Sequence, residues 1–128
     1  MESRRRDRPF ASFGGVMMPA RVRAAYRAEM RAARAAKDPD VRWRHLERAH
    51  ILSQPWAWPH TVNHVAMFAL AVAQRDRREA FGQVVRIIVA APGSALGRYP
   101  EGNTGRAGVG LTEPMPMPAD LAVVLRAA

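Results

Sequence analysis

No cysteine occurs among the 128 residues. That excludes disulfides, thiolate metal sites and a thiol nucleophile. Long hydrophobic runs are missing too. The longest, Val65 to Ala73, falls short of the ~18 apolar residues needed to span a bilayer. It is also too short and too internal for a signal peptide, so a cytoplasmic protein without membrane contact is the expectation. Acidic residues are scarce, 11 against 20 Lys and Arg, for a net charge of +9. Such a balance ordinarily suggests nucleic acid or an anionic surface. Here every basic residue except Lys37 is arginine, as GC-rich coding produces, and the arginines are spread over every segment. A nucleic-acid binder is therefore the weakest of three readings. Motifs for other chemistry are also wanting. Ser53 and Ser94 sit in no nucleophile motif. Gly102-Asn-Thr-Gly105 lacks both the Gly-Lys-Ser/Thr ending and the preceding strand of a phosphate loop, so no nucleotide cofactor is expected.

What is present reads as one all-α domain. Residues 1–18 are expected to be a disordered basic extension, because Glu2 to Pro9 is polar, Ser12 to Gly15 is flexible, and neither carries an apolar stripe. Helix one is predicted from Pro19 to about Ala36, with an inward stripe of Val22, Ala25, Tyr26, Glu29, Met30 and Ala33. Asp38-Pro-Asp40 makes a turn, and Asp40 is expected to cap helix two, Val41 to Ser53. Pro55 and Pro59 bracket a loop holding Trp56 and Trp58. Helix three then runs to about Gln74, apolar on almost every side and hence buried. Helix four is predicted from Arg78 to Ala90, where Pro92-Gly93 should stop it. A degenerate repeat, offset by ~38 residues, relates Ala33–Arg48 to Ala71–Arg86. It suggests a four-helix bundle of two antiparallel hairpins over residues 19–93, stacked in a tetratricopeptide-like way. Residues 94–128, rich in glycine and proline, are expected to wrap the bundle and end in a short helix opened by Asp120.

All 4 histidines lie in residues 45–64, HLERAHILSQPWAWPHTVNH. At ~100° per residue, Glu47 and His50 lie about 60° apart on helix two, and His60 and His64 about 40° apart on helix three. Folding the hairpins back sets His64 opposite His50 and brings Glu47 and Glu29 to the same level. A carboxylate amid apolar positions, as at Glu29, costs several kcal/mol unless paired or coordinated. Two arrangements answer that cost. A divalent transition metal (zinc, iron, manganese or copper) could be held by Glu29, Glu47, His50 and His64, with His60 as ligand or support. Alternatively, the acids and imidazoles form a buried hydrogen-bonded network with no ion. One Glu-x-x-His motif and two inward acids favour a mononuclear over a di-iron site. His45 falls off this face and is left out. Any chemistry would be metal-borne, with Glu47 or His60 as general base and Tyr26 as proton donor.

Several motifs are shared with a known family: His45-Leu-Glu-Arg-Ala-His-Ile-Leu-Ser-Gln54, His60-x-x-x-His64, Phe81-Gly-Gln83 with Arg86, Gly102-Asn-Thr-Gly105 and Pro114-Met-Pro-Met-Pro118. From Pro19 to Leu125 the chain resembles domain of unknown function 3703, a family of small bacterial proteins. The resemblance brings no activity with it. It implies that the hairpin and the Gly-Asn-Thr-Gly loop form one unit, and on that basis the loop is expected to pack back over the helices near the histidines. The leading expectation is a small metal-binding protein using Glu29, Glu47, His50, His60 and His64. The alternative is a non-catalytic helical module for a protein partner.

Overall fold

The computed structural model describes residues 17–111 and 113–126. Most of the expected N-terminal extension therefore lies outside the described residues. Five helices follow one another among them: α1 (Ala20–Ala35), α2 (Pro39–Ser53), α3 (Ala57–Ala73), α4 (Arg77–Ala95) and α5 (Ala119–Arg126). There is no strand among the described residues. Neighbours in sequence pack in space, α1 on α2, α2 on α3 and α3 on α4, while α5 crosses α1 and α2. No helix is long and apolar enough to cross a membrane.

The helix boundaries follow local chemistry. The α2 cap is Asp38, not Asp40: its carboxylate accepts from the Asp40 amide at 2.9 Å, and Pro39 occupies the first turn. Asp76 caps α4 in the same way through the Glu79 amide. Between them, α3 ends with Arg75 at φ 57°. The Asp76 amide donates to Ala71 O and the Arg75 amide to Val72 O, a Schellman closure that glycine would enter with less strain. The largest departure from expectation is α4, which runs through Pro92 to Ala95. A proline this near the end forfeits little of the ladder. The turn then closes through Leu96 to Pro92 and Arg98 to Gly93. That extra turn carries Ser94 into the interior, where it is 1 % exposed.

Two apolar clusters hold the helices. One joins Val22, Tyr26, Ile51, Leu52 and Trp56 to Leu121 and Leu125 of α5. Met18 belongs to it, so this residue of the expected extension is part of the folded unit. The other joins Ala33, Trp43 and Leu46 to Met67, Leu70 and Ala71 of α3, and Met30 packs against both. Burial of large apolar side chains stabilises such packing by about 1.5–3 kcal/mol each. Between α2, α3 and α4 the interior is instead polar. Gln54, His60, His64, Gln83 and Ser94 are all buried there with His50.

Candidate metal centre

Three of the four histidines meet in this polar interior. His50 comes from the last turn of α2, and His60 and His64 from successive turns of α3. Their Nε2 atoms form a near-equilateral triangle, with His50 to His60 at 3.0 Å and His64 to each of the other two at 3.1 Å. The rings meet at steep angles with centroids 4.7–4.8 Å apart, so they converge on a point instead of stacking.

The proton on each ring follows from its partner, since imidazole hydrogens are assigned from hydrogen-bond chemistry. His50 Nδ1 lies 2.6 Å from the backbone carbonyl of Asn103, which can only accept. His60 Nδ1 lies 2.8 Å from Ser94 Oγ; that hydroxyl spends its own proton on Gln54 O at 2.5 Å, so it accepts from the ring. His64 Nδ1 lies 2.7 Å from Gln83 Oε1. The Gln83 amide cannot be turned round, because its nitrogen donates to Gly105 O at 2.9 Å and to Glu79 Oε1 at 3.2 Å. All three Nδ1 atoms therefore carry hydrogen, and all three Nε2 lone pairs face one another. The short Nε2 contacts have no donor between them.

Burial keeps the rings uncharged. Desolvation lowers the His60 pKa to about 3 and that of His64 to about 4, and the His64 imidazole adds to the effect at His60. His50 is held well below its ordinary value by desolvation first and then by the charges His60 and His64 would carry. These are neutral bases, the form in which imidazole binds a metal. Three ring nitrogens of the cluster lie within 4.8 Å of one another, close enough to hold one ion. A cavity of about 70 Å³ opens beside them, lined by the three histidines with Arg86, Arg98 and Tyr99 among others.

Neither predicted carboxylate joins the cluster. Glu29 accepts from His45 Nδ1 at 2.6 Å and Arg48 Nε at 2.8 Å, and Arg48 also pairs with Asp120. The reason is helical phase: five residues separate His45 from His50, about 140° around α2. The side of α2 that meets Glu29 thus points away from the cluster. Glu47 accepts from Arg106 Nη1 at 3.2 Å, and Arg106 binds Glu79 at 2.7 Å with its guanidinium 3.8 Å from the Trp43 ring. Glu47 reaches His64 only through Arg106, Glu79 and Gln83. Tyr26 is also elsewhere. It donates to Pro59 O at 3.0 Å, away from the three rings, and desolvation raises its pKa to about 12. His60 is instead one of the three equal members.

The residues that support the rings, Gln83, Ser94 and Asn103, are not marked out as site residues by sequence pattern alone. Gln83 and Asn103 lie in the Phe81-Gly-Gln83 and Gly102-Asn-Thr-Gly105 motifs, while Ser94 gave no signal. The glycine-rich loop does pack on the histidines. Asn103 fixes it by accepting from the Gly105 amide and donating to Gly110 O and Glu113 O. Gly105 has φ 81°, and a Cβ there would lie 2.6 Å from the His50 ring. Only glycine lets the loop come this close.

A model built for the family described as protein of unknown function DUF3703 matches residues 20–125, which takes in all five helices and the loop. The chain belongs to that family. The match ends short of the basic N-terminal residues and includes every residue of the histidine cluster and its supports. No curated protein and no solved structure matches the chain.

Proposed function

We propose that the protein binds one divalent transition metal through Nε2 of His50, His60 and His64. The observation that carries this is the convergence of three lone pairs without a donor. Three buried acceptors 3.0–3.1 Å apart repel one another, and a cation between them turns that cost into ligation. The three Nε2 atoms would hold such an ion from one side and would leave a further position to another ligand. Structural zinc sites close all four positions, whereas sites with three protein ligands keep one for water or substrate. Each ligand's other nitrogen donates to a fixed acceptor, as metal-bound histidines require. With Glu29 and Glu47 engaged elsewhere, the all-imidazole set suits zinc or copper better than manganese. If the site is catalytic, the ion would supply Lewis acidity at the open position.

The test is metal content of untagged protein, with and without the His50→Ala/His64→Ala pair of substitutions. About one equivalent of metal is expected, falling to background in the double variant. Substoichiometric metal that the substitutions leave unchanged would overturn the reading.

A second reading, a helical module that docks on a protein partner, draws on the outer face of α4. Phe81 and Ile88 are 72 % and 69 % exposed there, with Val84 and Val89 beside them. Tetratricopeptide-like stacking of the hairpins would suit that role. The two readings are compatible, because Phe81, Val84 and Ile88 stand apart from the cluster, while Val89 lines the cavity beside it.

A further inference from the structure

The cavity beside the histidines has a charge of its own. Arg86 lines it and is 8 % exposed, held by hydrogen bonds from Nη1 to Gly82 O at 3.2 Å and from Nη2 to Val109 O at 2.5 Å. These are neutral carbonyls, so they fix the guanidinium without cancelling its charge. The carboxylate whose charge it feels is Glu79, and Glu79 is shared with Arg106, the Ala107 amide and Gln83. Arg98 stands exposed at the cavity wall. Glu79 and Glu47 are both held by Arg106, so neither is free to neutralise a divalent ion on the histidines, which would add its charge to that of Arg86 in a desolvated site. Such an excess is costly unless an anion shares the site.

We infer that the open position faces a pocket for a small anion, with Arg86 as its fixed counter-charge. This rests on the metal reading above and specifies the ligand class of the same site. Size narrows the class. A cavity of about 70 Å³, where one water needs only about 10–15 Å³, has room for a handful of water-sized groups and so for an anion of three or four non-hydrogen atoms. Formate, acetate, bicarbonate or azide fits that room, and a nucleotide does not. Arg86 pairs with such an anion through charge and its remaining N–H.

Cobalt(II)-loaded, untagged protein allows the metal and anion steps to be read separately. Its visible spectrum reports cobalt binding first, and then any change of ligand on titration with azide, formate and adenosine monophosphate. Saturable shifts are expected with azide and formate and none with the nucleotide. Arg86→Gln should weaken azide at least tenfold and leave cobalt stoichiometry at one. Arg86→Lys keeps the charge, tests for a folding defect, and should recover most of the azide affinity. Cobalt binding with no spectral response to either small anion would overturn this inference and leave the metal reading intact. Equal azide affinity in parent and Arg86→Gln would do the same, as would a nucleotide response matching that of azide. Failure to bind cobalt at all would overturn the metal reading, and this inference with it.

Discussion

Replacing Gln83 with leucine tests how the protein sets its histidines. The volume is nearly kept, so the change isolates the amide's hydrogen bonds. Gln83 is fully buried, accepts from His64 Nδ1 at 2.7 Å and donates to Gly105 O at 2.9 Å. Leucine leaves that ring N–H and that carbonyl without partners in the interior. Each unsatisfied buried group costs about 1–3 kcal/mol, so the metal-free variant should lose roughly 2–6 kcal/mol. Glu79 loses a weaker contact and keeps its bonds to Arg106 and the Ala107 amide. At about 4 °C per kcal/mol for a domain of this size, the melting temperature should fall by roughly 8–24 °C. Metal affinity should drop independently, because a ring free to carry its proton on Nε2 no longer presents a lone pair. Loss of such a supporting partner typically costs 10–100-fold. Thermal denaturation followed by circular dichroism gives the first number. Competition with a chromogenic zinc chelator, at a temperature where the variant remains folded, gives the second. A folded Gln83→Leu protein that holds zinc within twofold of the parent would refute the tautomer argument.

Other perturbations separate parts of the account. Glu29→Gln and Glu47→Gln should leave metal stoichiometry unchanged, read by elemental analysis, because both carboxylates are bound to arginine away from the cluster. Gly105→Ala should weaken zinc at least tenfold by the same competition assay, since its methyl group would displace the His50 ring. Acid should destabilise the metal-free protein. The folded histidines have lowered pKa values, about 3 for His60 and about 4 for His64. Below the unfolded value of about 6.5 the unfolded chain takes up protons that the folded one refuses. Stability is therefore full above that value and declines as pH falls towards 4, by up to about 1.4 kcal/mol per pH unit for each histidine. Urea melts between pH 7.5 and 4.5 measure this, and stability that rises on acidification would contradict it.

Sequence and structure diverge at points with specific physical causes. Apolar periodicity suffices for α1 to α4, because each helix buries a face that its own spacing defines. His60 and His64 are legible as a pair because four residues bring them round to one side of α3, and the reversal at Gln54-Pro-Trp56, between α2 and α3, sets His50 against them. Glu29 misleads because a residue at the margin of an apolar stripe can turn either way. Arg48 and His45, on the near side of α2, decide which. Arg106 is similarly decisive for Glu47, and it reaches across from a loop 59 residues away. Such long-range partners leave no periodic trace. Pro92 reads as a stop because a missing amide usually ends a helix, yet one lost bond beside the terminus is tolerated and Ser94 gains its place. The support given by the Asn103 carbonyl is invisible to side-chain pattern altogether, since any residue carries that carbonyl. Only the path of the loop, set by the Asn103 side chain and Gly105, aims it at His50.

X-ray absorption at the zinc edge, on untagged protein loaded with one equivalent of zinc, tests the central claim most directly. The account predicts three imidazole nitrogens at ~2.0 Å and one further light atom that azide replaces. It also predicts loss of that imidazole signal in the His50→Ala/His64→Ala protein. A zinc shell of mainly carboxylate or water oxygens, or a spectrum the two substitutions leave unchanged, would contradict it.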